Sequence, residues 1–218
     1  LGASRTGLQS MIATIQKMCS YIRTAFGDSN RTYGNETYEG PAQGILQGNG
    51  AGPATWSAIC TLIVNAMKEA GFGYKQWSLI SQRAITLTCF AFVDDTDLIH
   101  AETDPNATTK DLLVTAQEAL TTWEGLITST GGALAPEKNY WYLVEMVQRN
   151  GKWGYKTVSE EDLVLSNNGQ PQIIAKHKVS GANEALGIQT RLDGKMKDEH
   201  EYLLQKAIKW ADAVCTKK

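Results

Sequence analysis

The chain reads as an α+β fold, because helical and strand patterns come in blocks instead of alternating. Helical periodicity governs residues 7–25, the stretch from Pro53 to Gly71 and that from Asp104-Pro105 to Gly131-Gly132, and strand patterns with turn signals fill 140–189. A single apolar hairpin pattern at about 84–101 falls between the helical stretches, and the last twenty residues return to helix.

In the first block, Leu8, Met11, Ile12, Ile15, Met18, Cys19 and Ile22 recur at helical spacing, and Gly27-Asp28-Ser29-Asn30 is the expected stop. Residues 31–52 hold six glycines and little periodicity, so they read as loop or short strand. Pro53 suits the first position of a second helix, with Trp56, Ile59, Ile63, Ala66, Met67 and Ala70 on its buried face and Gly71 at its end. A third helix opens at Asp104-Pro105, Thr108 and Thr109, buries Leu112, Ala116, Leu120, Trp123 and Ile127, and stops at Gly131-Gly132. Tyr140 to Gln148 and Lys152 to Val158 flank Asn150-Gly151, a strong two-residue hairpin signal. A further strand pair is expected around Asn167-Asn168-Gly169, with strands following at Ile173 to Val179 and Ala185 to Gln189.

At 218 residues, 42% hydrophobic and 20% charged, the composition is that of a soluble globular protein. No apolar run reaches the length of a membrane span, no signal peptide is visible, and Cys19, Cys60, Cys89 and Cys215 are scattered without paired spacing. The expectation is an intracellular protein, cytoplasmic or nuclear, with reduced thiols. His100, His177 and His200 are equally isolated, which disfavours zinc. The net charge of −2 argues mildly against nucleic acid, but its distribution is uneven. Residues 1–83 carry seven Lys/Arg against four acids, 195–218 carry six against four, and Asp94 to Glu137 hold nine acids and one base, Lys110. That pattern suits a metal site inside a polyanion-binding body, and equally an ordinary solvated helix face. The chain opens on Leu1 already close to a helical pattern, so the expectation is a piece of a longer protein.

The most specific chemistry sits in Thr86-Leu87-Thr88-Cys89-Phe90-Ala91-Phe92-Val93-Asp94-Asp95-Thr96-Asp97-Leu98-Ile99. An apolar strand runs into two adjacent carboxylates and a second apolar run follows, as in a tight hairpin with acids at its tip. Two unit charges about 4 Å apart repel by about 4 kcal/mol at an effective dielectric of 20. A compensating cation or a raised pKa must answer that repulsion. Mg²⁺, a hard ion held by one or two carboxylates plus substrate phosphates, is the natural partner, with Mn²⁺ as a substitute. A solvated turn using Asp for local hydrogen bonds is the plain alternative. Some forty residues upstream, Gly44-Ile45-Leu46-Gln47-Gly48-Asn49-Gly50-Ala51-Gly52-Pro53 leads glycine-rich backbone into a helix start, where amides and the helix dipole favour phosphate. It lacks the Gly-Lys-Ser/Thr ending of a P-loop.

Taken together, these segments resemble reverse transcriptases. Phe92-Val93-Asp94-Asp95 resembles their aromatic-x-Asp-Asp hairpin, and Gln47-Gly48 with Pro53 resembles the Gln-Gly-x-x-x-x-Pro segment that precedes it. Gly131-Gly132 followed by Ala133-Leu134-Ala135-Pro136-Glu137-Lys138 looks like the next motif, which ends in lysine, and Ala185-Leu186-Gly187-Ile188 resembles the Tyr-Leu-Gly strand near the primer. Four motifs in order cover about residues 44–190, in the style of non-LTR retroelement enzymes.

The resemblance implies a polymerase palm, an antiparallel sheet packed on helices, over 1–190, with a helix at the finger edge and the start of a helical thumb or connection over 191–218. It implies template-directed nucleotidyl transfer with two Mg²⁺ ions, an RNA template, a DNA primer and deoxynucleoside triphosphates. Asp94 would be the main metal ligand and Asp95 its partner. Gln47, Gly48, Asn49 and Pro53 would border the nucleotide pocket, and Lys138 would stand near the triphosphate as a general acid. Asp97 would be a hairpin residue facing away. Because the two motifs must meet around one nucleotide, the helix from Pro53 should pack beneath the hairpin, with Trp56, Ile63 and Met67 facing Phe90 or Phe92.

Gly52 stands where the family has Ser, Phe92 replaces the more frequent Tyr, and the family's first catalytic aspartate has no counterpart here. That motif is expected before Leu1, so the fragment alone is expected to be inactive. Two other readings compete: a catalytically inactive nucleic-acid-binding relic of such an element, and an Asp-dependent phosphohydrolase using Asp95-Thr96-Asp97. The last would need a parallel-sheet strand.

Overall fold

The computed structural model describes residues 4–33, 52–92, 95–157, 162–167 and 169–215. The chain divides into two compact units, Leu1–Ala133 and Leu134–Lys218.

The first unit begins with helix α1, Arg5–Lys17, which ends earlier than the expected 7–25. Strands β1 (Ser20–Thr24) and β2 (Gly27–Tyr33) follow as an antiparallel pair. Aromatic and β-branched residues at Tyr21, Ile22 and Thr24 favour extended chain, and Gly27 supplies the positive φ of 117° at the turn. Arg23 and Asp28 pair across the strands, and their ion pair of 2.6 Å joins them.

Helix α2, Gly52–Glu69, starts and stops where Pro53 and Gly71 indicate. The Gly71 amide donates to the Lys68 carbonyl and that of Phe72 to the Met67 carbonyl, closing the C-terminus at a Gly71 φ of 89°. Ile63 and Met67 are buried on α2. Helix α2 packs on the longer helix α3, Thr109–Ser129, which buries Leu113, Ala119, Trp123 and Ile127. A capping box starts α3: the Asp111 amide donates to Thr108 Oγ1, and the Thr108 amide donates to the Asp111 carboxylate at 2.8 Å. The Thr108 hydroxyl also donates to that carboxylate at 2.7 Å, and this bond first, with the one from the Thr108 amide, holds the Asp111 carboxyl below its ordinary pKa.

Two antiparallel ribbons lie between the helices in sequence. Strands β3 (Tyr74–Ser78) and β4 (Arg83–Leu87) form the first, and β5 (Cys89–Phe92) and β6 (Asp95–Leu98) the second. The expected single hairpin at 84–101 is therefore shorter. Its first residues belong to β4, whose partner β3 showed no clear alternation in sequence. Thr88 alone separates the ribbons, and it is buried.

In the second unit, a 3-10 turn at Pro136–Lys138 precedes β7, Tyr140–Tyr142. The Asn150-Gly151 hairpin forms as expected between β8 (Met146–Arg149) and β9 (Lys152–Tyr155), with φ of 51° and 73° at the two turn residues. Strands β10 (Val164–Asn167) and β11 (Gln170–Ile173) pair across residues 168–169. Strand β12 (Ala175–His177) runs parallel to β7, and β13 (Asn183–Ala185) and β14 (Ile188–Thr190) form the last hairpin. Helix α4, Lys197–Cys215, follows, and buried Glu199 in its first turn accepts the Gln189 amide at 2.6 Å.

The α+β class therefore holds. The described strands pair in twos, each hairpin turn joining a strand to its sequence neighbour, instead of forming one continuous sheet. Among the described residues no helix is long and apolar enough to cross a membrane.

Candidate functional site

Within the β5/β6 hairpin, Phe90 faces Asp97 and Phe92 faces Asp95, while Cys89 faces Leu98 and Ala91 faces Thr96. Side chains alternate along a strand, so these pairs sort onto two faces. Phe90, Phe92, Asp95 and Asp97 share the outer face, with the rings 60% and 61% exposed and both acids exposed. Cys89, Ala91, Thr96 and Leu98 share the inner face.

The inner face meets α2. Ala91 lines a groove of about 310 Å³ with Pro53, Trp56, Ser57, Cys60, Thr61 and Val64. The expected proximity of the Pro53 helix and the hairpin is present, but through Ala91, not through Phe90 or Phe92. A period of two turns the small residue towards the helix and both rings away from it. Burial raises the Cys60 and Cys89 thiols above their ordinary pKa. Ser57 and Thr61 donate their hydroxyls back to the Pro53 and Ser57 carbonyls, so the groove wall is largely carbon. Two buried polar atoms here have no hydrogen-bond partner among the described residues, Trp56 Nε1 and Thr96 Oγ1.

The hairpin is tied down behind the acids. The Ile99 amide donates to the Thr88 carbonyl at 2.8 Å, and His100 Nε2 lies 2.8 Å from Thr115 Oγ1 on α3. Phe72 meets the His100 ring edge-on. Burial holds the His100 pKa below its ordinary value, against the opposing pull of Glu102 and Glu118.

Of the residues singled out in sequence, Pro53 sits in the first turn of α2 and Asp95 opens β6. Asp97 is not turned away: it shares the face of Asp95, about 6–7 Å further along the strand. Gln47, Gly48, Asn49 and Asp94 lie outside the described residues. Lys138 ends the 3-10 turn of the second unit, exposed, with its amide donating to the Ala135 carbonyl at 2.9 Å. Leu186-Gly187 is a hairpin turn with φ of 53° and 80°, not the strand expected from its likeness to Tyr-Leu-Gly, because Gly187 readily takes the left-handed conformation. Asp95-Thr96-Asp97 lies on an antiparallel strand, which removes the parallel-sheet setting that a nucleophilic aspartate of the phosphohydrolase kind requires.

As for a metal, the donors of the hairpin are carboxylate oxygens, the hard ligands that Mg²⁺ and Mn²⁺ prefer. No cluster of three or more His, Cys, Asp or Glu forms among the described residues. The donor chemistry fits an ion held by few protein ligands and completed by substrate phosphate.

The groove residues Trp56, Cys60 and Ala91 escaped sequence reasoning as site residues. The available signal is the alternation Cys89-Phe90-Ala91-Phe92, in which the small residues fall on the face towards α2. No family model, curated protein or solved structure matches the chain.

Proposed function

We propose that the chain is the palm of an RNA-directed DNA polymerase of the non-LTR retroelement kind, extending a DNA primer on an RNA template with deoxynucleoside triphosphates. The observation that carries the reading is the shared groove: Pro53, at the end of the Gln-Gly motif, and Ala91, three residues before Asp94, line the same cavity. One residue from each segment, some forty positions apart in sequence, thus borders a groove of about 310 Å³, which supports the reading. An acid-tipped hairpin braced from behind by α2 and α3 supplies the rigid support that catalytic carboxylates need.

In this reading Asp94 and Asp95 would hold Mg²⁺, or Mn²⁺, and the ion would supply charge stabilisation for the transfer. Gln47, Gly48 and Asn49, assigned from the sequence motif alone, would border the nucleotide. The exposed rings of Phe90 and Phe92 flank the acids with apolar surface against the primer end.

The test is primer extension on an RNA template by the protein translated from its complete reading frame. Asp94→Asn is expected to cut synthesis by about 10²–10³-fold or more, the usual cost of removing one preorganised electrostatic group. Asp97→Asn is expected to leave most activity. Equal loss from both changes would show that the ligands are wrongly assigned. Template binding without any synthesis by the unaltered protein would favour the inactive relic.

A further inference from the structure

We propose that the β3/β4 ribbon is a wedge that opens base-paired nucleic acid at the junction between double and single strand. The ribbon carries the most exposed large apolar side chains of the first unit after Phe26: Leu79 is 82% exposed and Ile80 99%. Trp77 and Ile85, further down the strands, are also exposed. Apolar surface on this scale at the end of a ribbon calls for a partner.

The tip is a built turn. The Gln82 amide donates to the Ser78 carbonyl at 2.9 Å, the Ser81 amide to Ser78 Oγ at 3.2 Å, and Gln82 Nε2 to the Leu79 carbonyl at 2.8 Å. These bonds engage polar groups of the loop within the loop itself and leave Leu79 and Ile80 to project carbon.

Charge selects the partner. Residues 70–93 contain no acid and two bases, Lys75 and Arg83. Lys75 pairs with Thr86 and Arg83 with Ser78, which by strand alternation puts one cation on each face of the ribbon. Neither has an ion-pair partner among the described residues. An apolar tip with Arg83 beside it and Lys75 on the opposite face towards the root matches a duplex end, where bases unstack onto carbon while one strand's phosphates meet Arg83 and the other's run back along the ribbon to Lys75.

The root is rigid. Gly73, at a φ of 113°, lies so close to the end of β4 that a Cβ there would stand 2.9 Å from the Leu87 carbonyl oxygen. Both ribbons therefore spring from Thr88, and strand lengths keep the wedge tip within about 40 Å of the Asp95 end of β5/β6, roughly one duplex turn. The choice of nucleic acid as the polyanion rests on the polymerase reading.

The experiment uses a forked duplex with 2-aminopurine at its first base pair, bound by the protein without nucleotides. The unaltered protein is expected to raise the fluorescence. The double substitution Leu79→Ser with Ile80→Ser is expected to abolish the rise and weaken fork binding about tenfold, the scale of losing one stacked contact. It should leave affinity for single strand unchanged, and Leu79→Phe with Ile80→Phe should restore the rise. No rise with the unaltered protein, or an undiminished rise with the serine variant, would overturn the wedge. So would tip-dependent binding to phosphatidylserine vesicles with no response to the fork. Because no synthesis is read, a failed primer-extension assay refutes the polymerase reading separately. A silent fork beside successful extension refutes the wedge alone.

Discussion

The two ribbons that meet at Thr88 share a backbone plan and differ in what covers them. In β5/β6 the small inner face, with Ala91 at its centre, lies against α2 and the rings stay outside. Neither ribbon buries a strand residue fully, but in β3/β4 the most exposed apolar side chains sit at or near the free end. The neighbouring helix, not strand composition, decides which face of a ribbon turns towards the rest of the unit.

Stability measurements can break that contrast. Met67, 1% exposed in the α2–α3 core that supports the covered ribbon, should cost about 2–5 kcal/mol on truncation to alanine, from lost burial plus a cavity. Leu79→Ser, at the bare tip, should change stability by no more than about 0.5 kcal/mol. Chemical denaturation of both variants reads the difference. A loss of several kcal/mol at Leu79 would mean that the tip is covered after all.

A smaller effect sharpens the comparison. His100 ties the covered ribbon to α3, and burial lowers its pKa below 6.5 in the folded protein. The unfolded chain therefore takes up the proton first as pH falls. The stability contributed by neutral His100 is complete above about pH 6.5 and declines as pH drops towards the folded pKa. The denaturation midpoint should fall between pH ~7.5 and ~5.5, and His100→Gln should flatten that slope. An unchanged slope would separate His100 from the bracing of the hairpin.

Sequence reasoning reached the helices more surely than the ribbons. Pro53 and Gly71 bracket α2, and the Thr108 capping box with Gly131 brackets α3, because capping chemistry is local. Asn150-Gly151 likewise fixes its hairpin through the backbone of two residues. The end of α1 was missed because Met18, Cys19 and Ile22 continue a helical spacing while Tyr21 to Thr24 prefer extended chain, and pairing with β2 decides between them. The parallel pairing of β7 with β12 joins segments more than thirty residues apart, and nothing local announces it. At the site, the adjacency of Pro53 and the hairpin was legible from the order of the motifs. Which face of the hairpin α2 covers was not, since alternation gives two faces and only packing chooses between them.

The central claim is that the start of α2 and the acid hairpin form one metal-and-nucleotide site. It is tested most directly by paramagnetic broadening in NMR spectra of the protein with Mn²⁺ and a non-hydrolysable deoxynucleoside triphosphate. The account expects the Asp95 and Thr96 amides and the Trp56 indole N–H to broaden together, and Asp94→Asn to remove the effect at all three. Broadening confined to the hairpin while Trp56 stays sharp, or broadening that survives Asp94→Asn, would contradict it.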